Sequence, residues 1–132
     1  MVSRGKRWIR GFEAAQAAAA HSDGKIIGSR MGAALYAGPN LLAVGFNIYT
    51  KTHPDGKRQN YDITIHAEQM ALFRRRHYDN DSNLIMYVWR ETVGGVAALS
   101  KPCVNCQERL RVAGVRRVRY INERGEAAEM RF

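Results

Sequence analysis

Two short runs hold the residues able to do chemistry: His66-Ala67-Glu68, and Pro102-Cys103-Val104-Asn105-Cys106. One imidazole and two thiolates suit Zn²⁺. With only these three good ligands, the fourth tetrahedral position stays open for water, which is the catalytic arrangement. Zinc lowers the pKa of that water from about 15.7 to 7, so hydroxide becomes available at neutral pH. Glu68, beside the ligands without being one, can take the water's proton and carry it to the departing group. Such a site suits hydrolytic attack on an sp² carbon that bears an amino group.

The chemistry works only if the backbone brings the runs together. Residues two apart in a helix point about 200° away from each other, so His66 and Glu68 would diverge in mid-helix. At a first turn, side chains lean toward the N-terminal end and can meet beyond it. Both runs sit at expected helix starts, and two helix tips aimed at one spot would gather His66, Cys103 and Cys106. Their dipoles would also stabilise the thiolates. Two other readings of C-x-x-C stand beside this one. A closed structural zinc clasp needs a fourth ligand from His21, His53 or His77, none at a finger spacing. A thiol redox couple has no use for His66-Ala67-Glu68.

Around the two runs, helix and strand signals alternate. Arg7 to Ala20 places Trp8, Phe12, Ala15, Gln16 and Ala19 at steps of three and four, a helical period. Met31–Ala37 and Leu41–Asn47 are apolar runs divided by Gly38-Pro39-Asn40, the chemistry of a hairpin turn. Ile48–Asp62 is a long, polar, basic loop. Helical pattern resumes from Thr64 to His77, with Thr64 as the expected N-cap and Met70, Ala71, Leu72 and Phe73 as expected burial. Leu84–Arg90 is apolar on both faces and predicts an interior strand. Ser100 and Pro102 mark a helix on which Cys103, Cys106, Leu110 and Ala113 share a face, ended by Gly114. Val115–Asn122 and Ala127–Phe132 flank a tight turn at Gly125. This order predicts an α/β protein: one mixed sheet of about five strands flanked by helices, α-β-β-α-β-α-β-β, closing in a C-terminal hairpin. A helical link between strands predicts a right-handed crossover and parallel neighbours.

H-A-E followed by P-C-x-x-C resembles the signature of the zinc-dependent cytidine/deoxycytidylate deaminase superfamily. Gly45-Phe46-Asn47 is similar to that family's strand end with a substrate-contacting asparagine. The runs from Ser100 to Cys106 and from Ala113 to Tyr120 resemble its metal helix and the strand after it. The resemblance implies a cytidine deaminase-like fold, with residues 1–132 as a single zinc-dependent deaminase domain. It implies Zn²⁺ on His66, Cys103 and Cys106, Glu68 as proton shuttle, the Ala67 backbone offered to the base, and Asn47 on base or sugar. The implied reaction converts cytosine to uracil in a cytidine or deoxycytidine nucleoside or nucleotide. The alternative is a polynucleotide deaminase acting on cytosine or adenine in single-stranded DNA or RNA.

The terminal hairpin resembles free-cytidine, blasticidin and certain toxin deaminases. His66 departs from the small tetrameric cytidine enzymes, which usually carry cysteine there. With two cysteines, the extra zinc insert common in deoxycytidylate deaminases is missing. A homo-oligomer is also implied, with Phe132 as the residue that would reach a neighbour's pocket. A merely zinc-stabilised binding module would have no use for Glu68. Asn47 has a plainer reading as the cap of a strand end.

Composition bounds the rest. The 132 residues carry Lys+Arg 21 against Asp+Glu 12, a net charge of +9, and the pI is about 10.1. The length suits one domain, and 45% hydrophobic residues can fill a core without a disulfide scaffold. The charge favours polyanions or phosphorylated metabolites as partners, nucleic acid included. Lys51, Lys57 and Arg58, in the loop before the metal helix, are candidates for phosphate contacts. Arg74, Arg75 and Arg76 read as a solvated helix end, Arg116, Arg117 and Arg119 as sheet-edge charges, and Trp8 and Trp89 as core. No apolar run reaches membrane length and no signal-peptide pattern opens the chain, so the expected address is cytoplasmic and reducing, with no membrane partner.

Overall fold

A computed structural model describes residues 5–22, 29–48, 66–75, 83–92 and 94–132. The elements, in order, are α1 (Gly5–Ala19), β1 (Arg30–Ala37), β2 (Asn40–Phe46), α2 (Ala67–Arg74), β3 (Leu84–Glu91), α3 (Val104–Val112), β4 (Val115–Ile121) and β5 (Ala127–Arg131). This is the expected order, with no end moved by more than about four residues and those at Ala37, Leu84, Val115 and Ala127 unmoved.

The strands form one mixed sheet in the order β2-β1-β3-β4-β5. Short turns make β1/β2 and β4/β5 antiparallel hairpins, and α3 carries the chain across between the parallel neighbours β3 and β4. The link through α2 departs from expectation. β2 and β3 run in the same direction but are not neighbours, because β1 lies between them, antiparallel to both. The hairpin takes the position that a simple crossover would have filled.

β3 is the middle strand, and its unbroken apolar run follows from burial on both faces: Leu84 to Val88 are all buried. Alternate residues divide the core. Ala33, Leu35, Leu84, Met86 and Val88 pack with Ala67 and Ala71 of α2 and Leu110 of α3. Ala34, Tyr36, Ile85 and Tyr87 pack with Phe12 and Ala15 of α1 on the other face. Two glycines bring the helices against the sheet. A Cβ at Gly32 would overlap Ala15 O and stand 2.6 Å from Ala19 N, while one at Gly45 would overlap Ala67 O and stand 2.6 Å from Ala71 N.

Three expectations are corrected at the level of side chains. Gln16 is exposed, and the buried stripe of α1 runs through Phe12, Ala15, Ala18 and Ala19. Phe73 is 78% exposed, on the outer side of α2, while Leu72 beside it still packs against the core. β4 is not an edge strand, since β5 lies outside it. Arg119 is buried there, its guanidinium 4.3 Å from the Trp8 ring centroid and its Nη1 donating to Tyr87 Oη. Trp8 and Trp89 both pack against the α1-side core, as expected. Among the described residues, no helix is long and apolar enough to cross a membrane.

Candidate metal centre

α2 begins directly after His66, which is its N-cap in extended conformation (φ −86°, ψ 149°). The His66 N–H donates to Gln69 Oε1 at 3.4 Å, one arm of a capping box. The cap is therefore two residues later than Thr64, which lies outside the described residues; the glutamine three positions on decides the start. Because Gly45 lets α2 approach β2 closely, His66 is held at a fixed height over the sheet end.

α3 begins in the same way after Cys103 (φ −66°, ψ 166°), whose Sγ accepts from the Cys106 N–H at 3.4 Å. Cys103 is thus the cap of the helix rather than a member of its face, and its sulfur bends back over the first turn. Cys106 lies inside that turn, 1% exposed. The approach to Cys103 is pinned. Gln107 Nε2 donates to Pro102 O at 2.8 Å. Ser100 is fully buried; its hydroxyl donates to Val88 O and accepts from the Ile121 N–H, both at 2.7 Å. That hydroxyl bridges β3 and β4 where the two strands part.

The two helix starts meet. His66 Nδ1 lies 3.2 Å from Cys106 Sγ and 3.7 Å from Cys103 Sγ, and the three ligand atoms fall within 4.8 Å of one another. Tetrahedral zinc with its usual Zn–S and Zn–N lengths holds such donors about 3.5–3.8 Å apart. The trio therefore fits Zn²⁺ by donor type and by spacing. Among the described residues, no fourth His, Cys, Asp or Glu joins the group. His21 sits instead beside Phe46, ring centroids 5.7 Å apart, while His53 and His77 lie outside the described residues.

The electrostatics match a cation site. A hydrogen bond from the Cys106 thiol, reinforced by His66, pulls the Cys103 thiol down to about 4. The same pairing, together with burial, pushes the Cys106 thiol up. The sulfurs thus share a proton that a metal ion would displace. Glu68, in the first turn of α2, is 2% exposed; burial pushes its carboxyl up, against the pull of its own N–H and of His66.

Ala67 is fully buried, and its carbonyl packs on Gly45. Asn47, 5% exposed, follows β2 at the same end of the sheet. Its Oδ1 accepts from Ser22 Oγ and from the Met31 N–H at 2.8 Å, and its Nδ2 donates to Ser29 O at 3.1 Å. Its carbonyl is thus committed to structure, with one amide N–H beyond the bond to Ser29. Lys51, Lys57 and Arg58 lie outside the described residues. Gln69 and Ser100 were not read as site residues from the sequence. Gln69 had a usable signal in its position three residues after a cap. Ser100 had none, since its partners are 12 and 21 residues away.

A family model described as "Cytidine and deoxycytidylate deaminase zinc-binding region" matches residues 7–122. Among solved structures, a cytidine deaminase from Burkholderia pseudomallei superposes with a TM-score of 0.67 at 20% identity, covering 93% of this chain and 91% of that one. A dCMP deaminase from the cyanophage S-TIM5 gives a TM-score of 0.61 at 21% identity, covering 88% and 82%. A cytidine deaminase from Mycobacterium leprae gives 0.58 at 18%, covering 95% and 94%. At these identities the superpositions establish the shared fold. No curated protein matches significantly.

Proposed function

The chain belongs to the cytidine and deoxycytidylate deaminase zinc-binding family and is a hydrolytic deaminase of that type, and on that footing we propose that it converts cytosine to uracil in a cytidine or deoxycytidine nucleoside or nucleotide. The observation that carries this reading is the meeting of His66, Cys103 and Cys106 at two helix starts with buried Glu68 beside them. The three ligands would hold Zn²⁺, which when bound supplies a Lewis acid able to lower the pKa of water to about 7.

The remaining work belongs to side chains and backbone of this chain. Glu68 accepts a proton from the attacking water and delivers it to the departing amino nitrogen, so a C–O bond forms, the C–N bond breaks and ammonia leaves. Its burial keeps that proton from exchanging with bulk solvent and makes the carboxylate a stronger base. Ala67 offers its backbone to the base, and the remaining N–H of Asn47 meets base or sugar. Residues 1–132 act as one domain in this reading, in a reducing intracellular compartment where both cysteines stay free, as they are here.

The test is ammonia release by the zinc-loaded protein from dCMP, deoxycytidine, cytidine and a cytosine-bearing oligonucleotide, with product mass as confirmation. Glu68→Gln should keep the metal and lose about 10²-fold or more in rate; an unchanged rate would sink the shuttle assignment. The net charge of +9 favours a second reading, deamination of single-stranded nucleic acid. Activity confined to the oligonucleotide would replace the first reading by the second.

A further inference from the structure

On the sheet face that carries α2 and α3, polar groups line one sheet end in a row that the zinc chemistry leaves unused. Asn47 follows β2, Ser29 precedes β1, and Arg90 is the penultimate residue of β3. Arg90 stands opposite Met31 in the antiparallel register, and Met31 packs against the core under α2 and α3. Directly paired residues share a face, so Arg90 is on the side of the metal ligands. Asn47 Nδ2 donates to Ser29 O, and Arg90 Nε donates to Ser29 Oγ at 2.7 Å. Arg90 Nη1 donates to Leu99 O at 3.4 Å, on the segment that leads through Ser100 to Cys103.

Arg90 is half-buried and both its partners are neutral. Four arginines elsewhere in the chain are compensated, Arg30 by Glu91, Arg111 by Glu108, and Arg117 and Arg131 by Glu129, whereas buried Arg119 sets its charge against the Trp8 and Tyr87 rings. For Arg90 no carboxylate within 4.0 Å exists among the described residues. Two of its five N–H groups are used, and these fix the plane of the guanidinium. A cation held in place, short of counter-charge and with donors to spare, is preorganised for an oxyanion. Strands lie about 4.8 Å apart, so β3 is about 10 Å from β2 across β1. Asn47 and Arg90 therefore flank Ser29, to which both are bonded, at one end of the sheet.

We propose that Arg90 reads the phosphate of the substrate, so that the site takes a cytosine nucleoside monophosphate in preference to the free nucleoside. This rests on the reading above that the substrate is a cytosine nucleoside or nucleotide, with its sugar near Asn47.

The experiment measures binding and turnover separately. Zinc-loaded protein is titrated calorimetrically with dUMP and with deoxyuridine, neither of which can be deaminated. The wild type should bind dUMP at least about tenfold more tightly, as expected for a charge-assisted contact. Arg90→Gln keeps a donor for Ser29 but removes the charge, and should bring the two affinities to within about threefold of each other. In turnover, the dCMP preference over deoxycytidine should fall through KM rather than kcat. Inorganic phosphate, competing on the wild type alone, should weaken dUMP binding and spare deoxyuridine, which keeps the test open should Arg90→Gln fail to fold.

Equal wild-type affinities would overturn the proposal. So would an Arg90→Gln variant that weakens both ligands by the same factor, the sign of a purely bracing residue. Tight binding of an oligonucleotide with no gain for dUMP over deoxyuridine would also overturn it, in favour of a polynucleotide substrate. If dUMP binds through Arg90 but no cytosine substrate is turned over, the proposed reaction fails and the phosphate assignment stands.

Discussion

Glu68 is a carboxyl only 2% exposed, in a chain that has ample polar surface on which to place it. Burial of an ionisable group costs stability unless its partners compensate, and here burial outweighs the attraction of His66. Its burial therefore costs the fold stability. Glu68→Gln should lose deamination yet melt no lower than the wild type in the metal-free state, which parallel calorimetry and ammonia assays would check. A variant that melted well below the wild type would mean that the carboxylate is structural. The cysteines differ just as sharply: Cys103 is exposed and Cys106 is buried. In metal-free protein an alkylating reagent should label Cys103 first, and zinc should suppress that labelling, as peptide mass mapping would show. Equal labelling of both thiols would mean that the first turn of α3 is open in solution. That His66, Cys103 and Cys106 could share one ion was legible from residue type and spacing. Gln69, Ser100 and Arg119 were less so, because what they do depends on partners: a cap chosen three residues away, two strands that part, and Trp8 at the far end of the chain.

At the scale of elements, apolar period and turn chemistry were enough to read helix from strand, and the largest errors fell at both ends of α2 and at the start of α3. Thr64 and His66 both precede helical pattern, and only the return bond from Gln69 selects His66. Cys103 shares a helical face with Cys106 on paper, but as a cap it points over the turn instead. The place of β1 between β2 and β3 was not legible either, since a hairpin and a crossover compete for the same neighbour. Gly32 and Gly45 turn this architecture into a matched test. Both admit a helix against the sheet, on opposite faces, and a methyl group at either would overlap helix backbone rather than a flexible side chain. Gly32→Ala and Gly45→Ala should each cost about 1–3 kcal/mol or more by overpacking. Gly45→Ala should in addition weaken zinc binding, because it lifts the helix whose cap is His66. Gly32→Ala, displacing α1 on the far face, should leave zinc affinity near that of the wild type. Equal losses of zinc affinity would show that the sheet, not the helix seat, sets the ligand geometry.

The whole molecule carries +9, and charge of that size acts at a distance on any polyanion without naming a substrate. Sheet and helices together separate the two roles that such charge can take. Arg119 lies under Trp8 on the α1 side and contributes to packing, whereas Arg90 lies on the face of the metal ligands. Salt discriminates between them, because each nucleic-acid phosphate neutralised by a cation adds about one unit to the slope of log affinity against log salt. A monophosphate held by one arginine has no condensed counterion layer to release, so screening alone should weaken it only slightly between about 50 and 200 mM salt. A single-stranded oligonucleotide spread over many surface cations should lose about 10³-fold or more across the same range. Fluorescence anisotropy with a labelled oligonucleotide, alongside dCMP turnover at each salt concentration, would measure both. Deamination of dCMP that persists in salt after the oligonucleotide has dissociated would assign the polyanion affinity to the surface and the chemistry to the small substrate. A steep salt loss of dCMP turnover, parallel to that of the oligonucleotide, would instead mean that the site needs the wider basic surface to hold its substrate.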